Sequence, residues 1–266
     1  MVDPRQTAPG RFTGFSPINF VLLVALGAMI LASMGQVSPT PQQLVDGVPG
    51  MVNLVGRMLP PNTEPAFLAR IGVRILETFQ IALVGAAIGI LLSLPIAWCA
   101  ARKVSPLGRG HVVVKAFVSF LRTVPDLVWA LLFVASIGLG AVAGTMTIMV
   151  DTVGFCGRFF AEAMEDAEKE PQEALSAIGA GKGSILVGAI LPDIMPSLIN
   201  SSLFALEKAV RSSVVLGLVG AGGIGQELKV AFDLFQYQNA SMIILAIFLI
   251  VMVMEVMTDK LRAYIQ

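Results

Sequence analysis

Hydrophobic positions along this chain fall in long unbroken blocks, with neither the alternation of a half-buried strand nor the narrow stripe of a soluble amphipathic helix. Roughly 20 apolar helical residues cross a bilayer core about 30 Å thick. Six blocks come near that length: residues 18–37, 78–101, 123–137, 141–160, 194–219 and 242–257. The fold class predicted is therefore an all-α integral membrane protein of about six spans. The first block is uncharged and longer than the roughly 7–15-residue apolar core of a secretory signal, so it reads as a retained span. Pro95 near the end of the second block predicts a kink. The third and fourth come from one stretch, 112–160, divided at Gly138-Leu139-Gly140-Ala141. The fifth is interrupted by Glu207, Lys208 and Arg211.

Composition agrees. Hydrophobic residues make up 56% of the 266 and charged residues 14%, with a mean hydropathy of +0.81. Soluble domains carry about 25% charged residues, so too little charge is present to cover a soluble surface. The 18 basic residues balance 18 acidic ones, which gives no bulk positive charge for nucleic acid. Cys99 and Cys156 sit in apolar runs and His111 is the single histidine, so neither a disulfide framework nor a metal site is expected. His111 reads as a solvated or interfacial residue at a helix start. The 13 methionines read as lipid-facing or core filler.

Lys and Arg accumulate in cytoplasmic loops. With the N-terminus inside, the inner segments hold eleven: Arg5, Arg11, Arg102, Lys103, Arg109, Lys115, Arg158, Lys169, Lys182, Lys260 and Arg262. The outer segments hold four: Arg57, Arg70, Arg74 and Lys229. Both termini are thus expected in the cytoplasm. The chain reads as a cytoplasmic tail (1–17), a first span with a periplasmic segment (18–77), and a core (78–266) with a cytoplasmic loop at 161–192. The Pro-rich stretch 38–77 carries apolar patches such as 51–59, which predict a short helix on the membrane surface.

The cytoplasmic loop is the more informative connection. It begins acidic and helix-forming. Pro171 suits the first turn of a new helix, where its missing N–H is not needed. That helix runs through Glu173-Ala174-Leu175 and stops at Gly179. Gly181 and Gly183 then bend the chain into a second short helix, 184–190, before Leu191-Pro192. A compact elbow of this kind suits docking into a groove on another protein.

Glu173-Ala174-Leu175, Gly179 and Leu191-Pro192, at this spacing, resemble the EAA motif of type I ABC importer permeases. Leu175 replaces the second Ala of the motif and Ala189 stands where Ile is usual; neither removes the bend. Thr123-Val124-Pro125-Asp126, the segment from Asp151 to Gly154, Arg211-Ser212-Ser213 and the Gly-rich run from Val219 to Gly225 are similar to the phosphonate/phosphite branch of that family. The resemblance covers roughly residues 70–260. It implies a homodimeric or pseudo-dimeric pore, two ATPase subunits that dock on the elbow (Glu173, Ala174, Leu175, Gly179, Gly181, Leu191, Pro192), and a periplasmic binding protein. It also implies a small phosphorus oxyanion (phosphonate, phosphite or hypophosphite) as substrate.

Gly220, Gly222 and Gly225 satisfy the dinucleotide-binding pattern G-x-G-x-x-G. The context fails: there is no βαβ alternation, and Asn239-Ala240 stand where the acidic residue belongs. Gly220, Gly222, Gly223 and Gly225 read either as an outer gate or anion cradle, or as a tight turn between helices. A Walker A loop also fails at Gly181-Lys182, because Ser176 replaces the upstream glycine. ATP and Mg are therefore expected on partner subunits, with no cofactor on this chain.

A charge near mid-bilayer costs about 2.5–3.5 kcal/mol on insertion scales and should face protein or water. Arg122 and Asp126, four residues apart, are expected to pair on one helix. Asp151 stands alone in its span, with a structural or gating role expected. Glu207 and Arg211 are again four apart, with Lys208 beside them. Arg211 lies either on an anion's path, which its planar fork of donors suits, or in a salt bridge with Glu207. Ser212 and Ser213 either line the path or bond their own helix backbone. No nucleophile–base pair appears, so bond chemistry on this chain is not expected. A secondary transporter driven by an ion gradient, with Asp151 and Glu207 carrying protons, is the alternative; it calls for internal symmetry that the sequence does not show.

Overall fold

The computed structural model describes residues 17–38 and 40–265. Among the described residues there are eleven α-helices and no strands. The chain divides into two compact units, Met1–Gly56 and Arg57–Gln266.

The first unit contains α1 (Pro17–Val37). Its described side chains are almost all exposed, and it is apolar on every side. A helix hydrophobic all round needs an apolar surrounding, which lipid supplies. The helix α2 (Pro41–Met58) opens with a capping box: the Gln43 N–H donates to the Thr40 hydroxyl at 3.3 Å, and the Thr40 N–H to Gln43 Oε1 at 3.0 Å. Leu44, Val48, Met51, Val52 and Val55 share one face, so the surface helix expected at 51–59 is longer and begins at Pro41.

The second unit is a helix bundle. Its axis is α3 (Pro65–Ala100) laid against α6 (Ala141–Asp166). Small residues set that approach. A Cβ at Gly85 would lie 2.9 Å from the Ile148 Cβ, and one at Gly89 would lie 2.6 Å from the Thr152 Cβ. Helices in lipid associate through such close packing, because lipid tails supply no hydrophobic force between them. The sequence pattern starts this span at 78; the helix already begins at Pro65, and Pro95 sits inside it.

Around this pair lie α4 (His111–Thr123), α5 (Asp126–Ile137), α9 (Leu191–Gly217), α10 (Gly223–Asp233) and α11 (Tyr237–Ile265). The short helices α7 (Lys169–Ala177) and α8 (Lys182–Ile185) form the elbow. Buried clusters run the length of the bundle. One, with Phe160, Met164, Ile190 and Ile194, lies beside the elbow; another, with Phe67, Ile71, Ile224 and Ile243, lies where α10 meets α11.

Two expectations change here. The helices α4 and α5 are bent by 86° at Val124-Pro125. Pro125 removes an N–H and holds Val124 extended (φ −77°, ψ 121°). Arg122 and Asp126 therefore do not share a helix. The second elbow helix is also not separate. It passes through a π turn, Leu186–Ile190, directly into α9, making one apolar rod over Lys182–Gly217. Gly138 and Gly140 do break the chain between α5 and α6, at φ 108° and 131°.

By length and composition four helices can cross a membrane, and a fifth if the bent pair α4–α5 counts as one. The expected span at 141–160, in α6, falls outside that set among the described residues. Asp151, Arg158 and a run of Thr and Gly lower its hydropathy, and it is the helix most enclosed by others.

Candidate functional site

The elbow is built by backbone geometry. At the end of α7, Gly179 has φ +83°. The Gly179 N–H donates to Ser176 O at 3.0 Å, and the Ala180 N–H to Leu175 O at 3.0 Å. This pair of bonds is a Schellman cap, and its left-handed position is one that glycine fills without a Cβ clash. The motif glycine is thus the residue that stops α7. Gly181 is extended (φ −71°) and Gly183 lies inside α8, so the bend falls on Gly179 to Gly181, about two residues earlier than the sequence suggested. A Cβ at Gly188, in the π turn, would lie 3.5 Å from Leu175 Cδ1, so Leu175 packs α7 down on the start of the rod.

Glu173 and Ala174 stay exposed on α7, and Ile178 is 80% and Val187 65% exposed. Leu191 is half-buried and Pro192 exposed where the rod enters the bundle. The Glu168 N–H, at the head of α7, donates to Asp193 Oδ2 at 2.9 Å, which ties the elbow's two ends together.

The intramembrane charges form one cross-helix group. Asp151 is not alone: it accepts from Lys208 Nζ at 2.8 Å, joining α6 to α9. Lys208 also lies over the Phe155 ring, 5.5 Å from its centre. Glu207 takes Arg211 at 3.0 Å on one oxygen and Arg262 of α11 at 3.1 Å on the other. The Glu207 side chain is only 13% exposed, whereas Arg211 is 57% exposed. Arg262 also reaches Asp259 in its own helix at 3.6 Å, so three cations face three carboxylates here.

Arg122 has no hydrogen bond or ion pair to Asp126 among the described residues. Instead Asp126 Oδ2 accepts from the Ser212 hydroxyl at 2.9 Å, pinning the α4–α5 break to α9. Asp126 Oδ1 accepts from the Leu127 N–H at 2.9 Å in the first turn of α5. The Ser213 hydroxyl bonds Val210 O in its own helix at 2.8 Å.

The glycine run closes the far end. Gly220, Gly222 and Gly223 all have positive φ (92°, 84° and 73°). The Gly140 N–H donates to Gly220 O at 2.9 Å, joining this turn to the α5–α6 break. Buried Thr78 donates to Arg74 O and accepts from the Ile224 N–H, both at 2.8 Å. Gly225 packs so close to Val214 O and Gly217 that a Cβ there has no room. Beside it, Arg74 pairs with Glu77 at 2.7 Å and with Glu227 at 3.0 Å. An apolar groove of about 440 Å³ between α3 and α9, lined by Leu83, Ile90, Leu94, Met195 and Leu203, has almost no polar lining for an anion.

Residues 89–266 match the family described as "Binding-protein-dependent transport system inner membrane component". The chain belongs to this family. Its members are the multi-pass permeases of ABC importers, transport components that work with ATPase subunits and periplasmic binding proteins.

Among relatives of this family, the chain is 33% identical over 244 residues to the phosphite transport system permease protein PtxC of Stutzerimonas stutzeri, covering 91% of this chain and 87% of that protein. It is 36% identical over 222 residues to the phosphate-import permease protein PhnE of Mycolicibacterium smegmatis, covering 84% of this chain. It spans 41% of that longer protein. In fold it resembles a chain of the inward-facing MetNI methionine ABC transporter, with a TM-score of 0.65 and 23% identity over 77% of this chain and 100% of that one.

Several residues of this permease escaped the sequence reading. Arg262 was counted among loop cations, yet it closes the Glu207 pair. Lys208 was noted only as a neighbour of Glu207, yet it neutralises Asp151. Thr78, Gly217 and Glu227 carried no motif. The available signal was that charges in lipid must find partners, since unpaired ones are costly; which helix supplies the partner is not written in one sequence.

Proposed function

We propose that this chain is the permease subunit of an ATP-driven importer for a small phosphorus oxyanion. Two copies, or this chain and a close paralogue, enclose the path. Two ATPase subunits, which bind ATP and Mg, dock on the elbow from the cytoplasm. A periplasmic binding protein delivers the substrate at the glycine-run end. Both termini lie in the cytoplasm of the bacterial inner membrane. Closure of the ATPases moves the elbow, and the rod Lys182–Gly217 carries that motion to the level of Arg211 and the glycine turn.

The observation that carries the substrate class is the charge group around Glu207. Arg211 has one guanidinium nitrogen on Glu207 while more than half of its side chain remains open. A guanidinium offers an oxyanion a planar fork of donors. The open face of Arg211 supports anion passage, and the printed names of two relatives, for phosphite and phosphate, support phosphorus as its centre. Family membership favours ATP-driven over gradient-driven transport.

Uptake of phosphite, methylphosphonate and phosphate into proteoliposomes, with the cognate ATPase pair and binding protein, tests the proposal. Saturable, ATP-dependent uptake of one of these, lost on Arg211→Ala and retained in part on Arg211→Lys, is the expected result. Uptake that needs no ATP and follows a proton gradient contradicts it.

A further inference from the structure

The connection between α3 and α4 is held far more firmly than a surface loop needs. Ala100 and Ala101 are buried in the cluster that contains Met164, Leu186 and Ile190. The Arg102 N–H donates to Glu165 Oε1 at 2.8 Å, and Lys103 Nζ donates to Glu165 O at 2.5 Å. Trp98 Nε1 donates to Val104 O at 3.1 Å, and the buried Ser105 hydroxyl to Cys99 O at 2.8 Å. This connection is thus locked to the end of α6 and runs into α4.

One hydrogen bond ties it to the elbow helices among the described residues. Lys182 Nζ, in the first turn of α8, donates to the Ser105 carbonyl at 2.6 Å across 77 residues of sequence. Beside that bond lies a cavity of about 310 Å³, lined by Lys103, Val104, Gln172, Glu173, Ser176, Lys182 and Ile185; Ala101 and Leu186 share one buried cluster, with Val104 and Ile185 packed against it. An ammonium on a carbonyl is a charge-assisted bond, stronger than a neutral one. It adds a directional polar link to the apolar packing of the shared cluster.

We propose that Lys182 is a positioning residue of the transport cycle, a strut that gives the elbow a second route into the membrane. The first route is the rod from α8 to α9. The second runs from α8 through Lys182 to Ser105, along α4 to the bend at Val124-Pro125, and back to α9 through Asp126 and Ser212. The two routes meet on α9 near Arg211, so motion of the elbow moves the α4–α5 break in step with the rod. Cutting the strut leaves α7 and its exposed Glu173 and Ala174 intact for docking, and loosens only the second route. This rests on the elbow being the ATPase dock.

The test uses the assembled permease–ATPase complex with its binding protein in proteoliposomes. Lys182→Met keeps the length of the side chain and removes the donor; Lys182→Arg keeps a donor. Three readouts are taken: co-purification of the ATPases, ATP hydrolysis, and substrate taken up per ATP hydrolysed. The expected result for Lys182→Met is unchanged co-purification and hydrolysis, with uptake per ATP falling roughly tenfold, and recovery in Lys182→Arg. Unchanged uptake per ATP in Lys182→Met overturns the strut. So does loss of assembly that Lys182→Arg fails to restore, since that marks a purely structural bond. ATPases that co-purify equally well with a Glu173→Arg chain overturn the docking assignment instead, and leave a distinct signature from failure of the strut.

Discussion

The elbow and the charge group around Glu207 hold their shapes by opposite means. The elbow depends on backbone conformation over a few consecutive residues, with a Schellman cap at Gly179, and its working side chains are exposed. The charge group depends on side chains from three helices, in pairs 57 and 55 residues apart, and its central carboxylate is nearly buried. A surface that must fit a partner has its shape set before the partner arrives. A charged layer inside a membrane must instead satisfy itself, because lipid offers its charges no partner.

The sharpest way to break this comparison is at Gly179. Gly179→Val places a β-branched residue at φ +83°, where a Cβ collides with its own backbone. ATP-dependent uptake is expected to fall by about tenfold or more, with membrane insertion unchanged, because a left-handed site is strained for any branched residue. Gly179→Asn, which tolerates that conformation better, is expected to retain more activity, and an uptake assay on both reads the difference.

The next largest effect is at Glu207. Glu207→Gln removes the carboxylate shared by Arg211 and Arg262 and leaves Arg262 only the longer contact to Asp259 at 3.6 Å; the expected loss of stability is about 3 kcal/mol. Thermal unfolding in detergent checks it. Adding Arg262→Met to Glu207→Gln is expected to recover part of the loss, which identifies the cost as an uncompensated charge.

For Asp151 and Lys208 the singles Asp151→Asn and Lys208→Met are each expected to destabilise more than the double variant does. The coupling read from that cycle is on the order of 1 kcal/mol. The smallest effect is at the glycine-run end. Thr78→Ala removes the hydroxyl that takes the Ile224 N–H, and the expected loss is about 1 kcal/mol. Hydrogen exchange at Ile224 is expected to rise in that variant.

What the sequence disclosed follows the same division. The apolar blocks and the elbow were legible because both are local: hydropathy needs about 20 neighbouring residues, and the α7 cap lies within Leu175 to Ala180. The start of α3 was missed because Arg70, Arg74 and Glu77 end the apolar run. The helix continues there because Arg74 is paired with Glu77 and Glu227. Arg122 and Asp126 were paired by spacing alone, while Pro125 between them turns the chain by 86°. The Asp151–Lys208 and Glu207–Arg262 pairs were not legible, since nothing in one sequence reports how far two helices are shifted along each other.

The central claim is that the exposed α7 face carries ATPase docking. It is tested most directly by co-purifying the candidate ATPase subunits with the full-length permease and with its Glu173→Arg variant. The account predicts a complex with the unaltered chain and loss of the ATPases from the variant, at equal permease yield. A Glu173→Arg variant that retains its ATPases and full uptake contradicts it.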